Sequence, residues 1–148
     1  ESSVDIACAE GTGDAGIEDG YTEGNKVKIR TCTIPGAPSS GSDSVDGKLV
    51  MNSRVSQVVS DMVKAAKADG VSTAVTSGFR SMATQQCLYD GGCGSNGTAA
   101  EPGTSNHQMG IAMDVDGAFN AWLRKNGEKF GYKWFGPGDD VHFSPNGR

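Results

Sequence analysis

The hydrophobic pattern of this chain changes period near Met51, and no other feature constrains its fold as strongly. Before that point, Lys26 to Thr33 sets Val27, Ile29 and Thr31 on one side and Lys28 and Arg30 on the other. Such alternation is the mark of a half-buried strand. After it, Val55, Val58, Val59, Met62, Val63 and Ala66 recur at helical spacing, while Arg54, Asp61, Lys64 and Lys67 point elsewhere. Gly70 supplies the helix stop, because glycine readily adopts the left-handed C-terminal conformation.

The rest of the chain reads in shorter pieces. Residues 1–26 are polar and glycine-rich and predict little regular structure; Pro35 to Gly47 reads as a loop. Val71 to Thr76 predicts a short strand, and Ser81 caps a second helix running to about Tyr89. Residues 90–104 form a long glycine-rich loop of the kind that often carries function. Ile111 to Asp116 alternates as a strand, and Phe119, Trp122, Leu123 and Phe130 give a third helix its apolar face. Two closing strands, Tyr132 to Phe135 and Val141 to Phe143, flank a Gly-Pro-Gly turn. Helices and short strands joined by tight turns predict an α+β domain with a small antiparallel sheet.

Composition removes several classes of function. At 148 residues the chain holds one domain with a real core, and 22 glycines imply much loop. A net charge of −5 offers no footprint for nucleic acid or an anionic membrane surface. No apolar run approaches the roughly 20 residues that span a bilayer. Residues 1–15 show neither the basic start nor the apolar stretch of a secretory signal. The four cysteines lack the short C-x-x-C clusters of a zinc ribbon, so two disulfides are predicted, with Cys87 and Cys93 bracketing a turn and Cys8 and Cys32 as a sensible second pair. Four cysteines allow three pairings, and disulfides point to an extracytoplasmic compartment.

Histidine is the informative residue, since there are only two, His107 and His142. Two imidazoles and a carboxylate suit Zn²⁺, and three protein ligands leave a fourth position for water. Asp114 and Asp116 both lie on the predicted strand after His107 and share one face of it, so spacing does not choose between them. The H-E-x-x-H motif of helical zinc peptidases is absent.

The surrounding residues carry a resemblance. Ser77-Gly78-Phe79-Arg80-Ser81, then Gln85, Pro102-Gly103, and Ser105-Asn106-His107-Gln108-Met109-Gly110-Ile111-Ala112-Met113-Asp114 resemble the zinc D-alanyl-D-alanine carboxypeptidase family of the VanY and VanX type. That family reads roughly S-G-[YF]-R-S, S-x-H-x-x-G-x-A-x-D and a final E-x-W-H, and the last element here is Asp139-Asp140-Val141-His142. The resemblance covers about residues 50–145; it divides the chain into an N-terminal extension over 1–45 and a zinc peptidase domain over 46–148.

The resemblance implies that one Zn²⁺ is held by His107, Asp114 and His142, with Asp116 outside the ligand set. It makes Arg80 the group that grips the substrate carbonyl and the oxyanion, a role that suits a permanently charged, multi-donor fork. Ser105 and Gln85 fall on polar positions near substrate, where hydrogen bonding within a turn or helix end is the competing reading. The register of the family glutamate gives Asp139 as general base. Aspartate is one methylene shorter, reducing reach by ~1.5 Å. The backbone moves inward to compensate, or Asp140 takes the role, or activity is weakened. Val141 stands where the family has tryptophan, which removes an aromatic wall. The implied substrate is a peptidoglycan stem peptide and the implied setting a bacterial or phage-like, extracytoplasmic one, with a monomer expected. The rival reading is a peptidoglycan- or partner-binding domain of the same fold with weak hydrolysis or none.

Overall fold

The computed structural model describes residues 2–95 and 99–148; residues 96–98 of the predicted 90–104 loop lie outside the described residues. The chain is α+β, with its antiparallel strands divided between two three-stranded sheets rather than gathered in one. In the first sheet, β1 (Gly13–Thr22), β2 (Asn25–Pro38) and β3 (Lys48–Asn52) lie in chain order. β3 runs directly into the long helix α1 (Ser53–Ala68). Helix α2 (Met82–Tyr89) follows, and then β4 (Met113–Asp114), α3 (Gly117–Asn126), β5 (Lys133–Trp134) and β6 (His142–Ser144). The second sheet has the order β4-β6-β5.

The change of period at Met51 corresponds to the β3–α1 junction. Asn52 caps α1 with its side-chain oxygen, which accepts from Arg54 N at 2.9 Å. Val55, Val59, Met62, Val63 and Ala66 are buried, whereas Val58 packs only at the margin of the core. Each large side chain so buried contributes about 1.5–3 kcal/mol. The same core takes Leu49 and Met51 from β3, Met113, and Phe119, Trp122 and Leu123 from α3. Tyr132 is buried beside them, and its hydroxyl donates to Ile111 O at 2.8 Å.

Three local readings change. Residues 13–22, predicted irregular, form β1: the hairpin turns through Glu23 and Gly24, both at positive φ, and pairs in register from Thr22↔Asn25 to Gly16↔Thr31, beyond which the register shifts before Asp14↔Cys32. An edge strand with one wet face needs few apolar residues, so β1 carries no apolar alternation. The predicted loop after Thr33 begins later, because β2 continues to Pro38 through an irregularity between Ile34 and Pro38. The predicted strand 71–76 is extended chain outside both sheets, tied by an isolated bridge from Val75 to Ser39 and by Thr76 N donating to Asp114 O at 2.9 Å.

Cys8 is joined to Cys32 and Cys87 to Cys93. The first bridge ties the N-terminal arm to β2. Ser3 and Ala9 anchor that arm further, through hydrogen bonds to the backbone of Arg30 and to the side chains of Ser53 and Ser56 on α1.

Candidate active site

Asp114 and His142 are register partners across the β4–β6 pair, and Ser77 bridges the other edge of Asp114. Directly paired residues on adjacent antiparallel strands project from the same face. The pairing therefore brings carboxylate and imidazole together without help from any loop. His107 arrives from a 3₁₀ turn, Asn106–Met109, whose N-terminus is capped: Ser105 Oγ accepts from His107 N at 3.1 Å. Gly110 ends the turn at φ 71°, and a Cβ there would lie 2.9 Å from Asn52 N. Both facts require glycine. Asn52 clamps the turn a second time, donating from Nδ2 to Met109 O at 2.9 Å.

Two imidazoles and one carboxylate thus converge. His107 Nε2 lies 3.1 Å and His142 Nδ1 3.3 Å from the same oxygen, Asp114 Oδ1. The three ligand atoms fall within 4.8 Å of one another, the one such cluster among the described residues. The far nitrogens fix the tautomers. His107 Nδ1 sits 2.8 Å from Gly78 O, and His142 Nε2 sits 2.8 Å from Arg148 O. Carbonyl oxygens only accept, so these nitrogens carry the protons. Each neutral imidazole then directs a lone pair at an anionic oxygen. Acceptors facing an acceptor require a cation among them, either a proton or a metal ion. Such outer hydrogen bonds are what orient metal-binding histidines. Gly78 has no space for a side chain, since a Cβ would meet Val50 O at 2.7 Å and the Leu49 side chain.

The electrostatics agree. Burial pushes the His107 imidazole down, favouring the neutral, lone-pair-bearing form. Burial pulls Asp114 upward, but His107, His142 and Arg80 outweigh it and hold the carboxyl well below the ordinary range. Burial also lowers His142, yet the hydrogen bonds to Asp114 and the Arg148 oxygen, with the charges of Asp114 and Asp139, carry it net upward. The cluster draws positive charge toward itself.

Arg80 binds the other carboxylate oxygen: Nη2 donates to Asp114 Oδ2 at 2.7 Å. Its Nε donates to Ser77 Oγ at 3.0 Å and Nη1 to Gln85 Oε1 at 3.3 Å. Gln85 is fully buried and spends its amide nitrogen on Ala100 O, so it stands behind Arg80. Asp116 is exposed at the start of α3, away from the cluster.

Asp139 belongs to the 3₁₀ turn Pro137–Asp139, with Oδ2 3.9 Å from His142 Nδ1. Burial, and then the charge of Asp114, raise its pKa above the ordinary carboxylate value. Asp139 lines the cleft above the cluster and Asp140 does not. The main-chain oxygen of Asp140 accepts from Asn120 and Trp134 instead.

Two parts of the cleft were not foreseen. Phe135, 48% exposed, stands edge-on to His142 with ring centroids 5.7 Å apart. An aromatic wall is therefore present, from β5's end rather than from position 141. Tyr21, Thr22 and Glu23 of the β1–β2 hairpin line the same cleft, whose volume is about 1140 Å³.

A family model described as VanY, D-alanyl-D-alanine carboxypeptidase, matches residues 48–130, more than half of the 148. The chain belongs to the VanY family. A D-alanyl-D-alanine carboxypeptidase of Enterococcus faecalis is 35% identical over 102 residues, covering 53% of this chain. The putative carboxypeptidase YodJ of Bacillus subtilis is 28% identical over 105 residues, covering 57% of it. The chain spans 38% of the length of each of these relatives. Among solved structures, VanYB in complex with D-alanine-D-alanine is 26% identical with a TM-score of 0.53, covering 68% of this chain and 74% of that one. A mutant of the vancomycin-resistance D,D-pentapeptidase VanY in complex with Zn(II) shares the fold at TM-score 0.54 and 24% identity, covering 84% of each chain. In VanY-family terms, the family match contains His107 and Asp114 but not His142, Asp139 or the N-terminal hairpin.

Proposed function

We propose that this chain is a zinc-dependent peptidase acting on peptidoglycan stem peptides, as a D-alanyl-D-alanine carboxypeptidase. The observation that carries the reading is the convergence of His107 Nε2, His142 Nδ1 and Asp114 Oδ1, with both opposite imidazole nitrogens committed to carbonyl oxygens. Two neutral nitrogens, one anionic oxygen and an open side toward the cleft fit a catalytic zinc site holding one ion. When bound, Zn²⁺ supplies Lewis acidity, polarising a carbonyl and acidifying water at neutral pH.

The protein's own groups do the rest. Asp139, with its raised pKa, accepts the proton of the attacking water and returns it to the leaving amine. Arg80 uses three of its five N–H donors on Asp114, Ser77 and Gln85. The two that remain meet the substrate carbonyl oxygen and stabilise it as charge develops. Gln85 acts through Arg80, and Ser105 through the turn that holds His107. Phe135 supplies an apolar wall for the substrate beside His142. Among the described residues no helix is long and apolar enough to cross a membrane. The proposed substrate and the two disulfides support a working site outside the cytoplasm.

The test is incubation of the protein with a pentapeptide ending in D-Ala-D-Ala, with and without a chelator. Release of one terminal alanine, stopped by the chelator and restored by zinc, is expected. Binding of the peptide without any release would support the non-hydrolytic reading instead.

A further inference from the structure

Beyond β6 the chain doubles back on His142. Gly147 takes left-handed backbone at φ 74°, and Arg148 N donates to Ser144 Oγ at 2.9 Å and to Asn146 Oδ1 at 3.0 Å. This hook sets Arg148 O behind the imidazole, 2.8 Å from Nε2. It lies outside residues 48–130, the part of the chain that the family model matches.

Asn146 and Arg148 are exposed, and the bonds that close the hook are local. The tie to a distant segment comes from Asn106. Its amide nitrogen donates to Asn146 Oδ1 at 2.9 Å and to Arg148 O at 2.6 Å, across 40 and 42 positions. An amide nitrogen carries two hydrogens, so these bonds use its whole donor capacity. Asn106 is itself fixed, because it opens the 3₁₀ turn that carries His107 and its carbonyl accepts from Ile111 N at 3.2 Å. The residue beside one histidine therefore holds the group that orients the other. In the S-x-H element, Asn106 stands at the position that the motif leaves open.

A solvent-exposed turn held only by local hydrogen bonds opens readily. With Arg148 O displaced, the His142 ring loses the acceptor that fixes its orientation and tautomer. An N–H could then replace the lone pair that Nδ1 directs at Asp114 Oδ1, 3.3 Å away. A metal ion needs the lone pair. Resting on the proposed zinc site, we infer that Asn106 is a positioning residue: by fastening Arg148 O it holds the His142 ring with Nδ1 turned to the ion.

The experiment reads two quantities. One is zinc affinity, by competition with a chelator; the other is solvent exchange of the ring N–H protons in zinc-loaded protein, by NMR. Asn106→Ala should weaken zinc binding by up to about tenfold. It should speed exchange of His142 Nε2–H and leave His107 Nδ1–H, bonded to buried Gly78 O, unchanged. Asn146→Ala, which leaves the His107 turn intact, should speed the same His142 exchange. Unaltered His142 exchange in Asn106→Ala overturns the inference. Equal acceleration at both histidines overturns it too, since that marks general loosening of the turn. If the wild type takes up no zinc, the zinc reading fails alone, and the same exchange comparison in metal-free protein decides the role of Asn106.

Discussion

Asp114 and His142 face each other across the β4–β6 pair, so their side chains meet through strand register alone. Asp114 is also bridged to Ser77, and its two oxygens are divided: Oδ1 toward both imidazoles, Oδ2 toward Arg80. One carboxylate therefore joins the candidate metal-binding cluster to the proposed oxyanion group. Arg80→Lys keeps the charge but loses the planar fork that reaches Ser77, Gln85 and Asp114 together. We expect kcat to fall at least about tenfold, in line with the loss of an oxyanion donor, with zinc still bound. Steady-state kinetics beside metal analysis check this.

Asp139 tests whether the shorter side chain is a handicap. Its Oδ2 already lies 3.9 Å from His142 Nδ1, on a turn that brings the backbone to the cleft. Asp139→Asn should lower kcat by about 10²–10⁴ without releasing zinc. Asp139→Glu should bring no gain. A large gain in the glutamate variant would show that the aspartate is poorly placed.

Gln85 is fully buried, yet its effect should be catalytic as well as structural. Gln85→Ala frees Arg80 Nη1 and leaves Ala100 O without its donor. A stability loss of about 1–3 kcal/mol follows from the unpaired groups. A fall in kcat measured well below the melting transition separates the positioning of Arg80 from simple unfolding.

Gly110→Ala strains the His107 turn twice, by left-handed backbone and by approach to Asn52 N. The conformational part alone costs about 1–2 kcal/mol. Because Asn52 also caps α1, the shift should reach both the melting temperature and zinc affinity, measurable by calorimetry.

Much of this was legible in the sequence because it is local. Arg80 and Gln85 lie within nine residues of Ser77, and Ser105 through Asp114 fill a single run, so the motif carried them as units. The α1 stripe was equally plain, as its apolar spacing is set by one helix packing on one core. The cleft walls were not. Tyr21 to Glu23 reach the site only because Gly24 docks on Gly103, a contact between segments nearly 80 positions apart. Phe135 looked like the end of a closing strand, and nothing in its neighbours marks the approach to His142. The polar edge strand β1 gave no periodic signal, since pairing to β2 rather than burial of alternate side chains holds it.

Equilibrium dialysis of the purified protein against zinc, followed by elemental analysis, tests the His107–Asp114–His142 assignment most directly. One zinc per chain is expected for the wild type, and none retained in Asp114→Ala or His107→Ala although both stay folded by circular dichroism. Stoichiometric zinc in either variant would contradict the assignment.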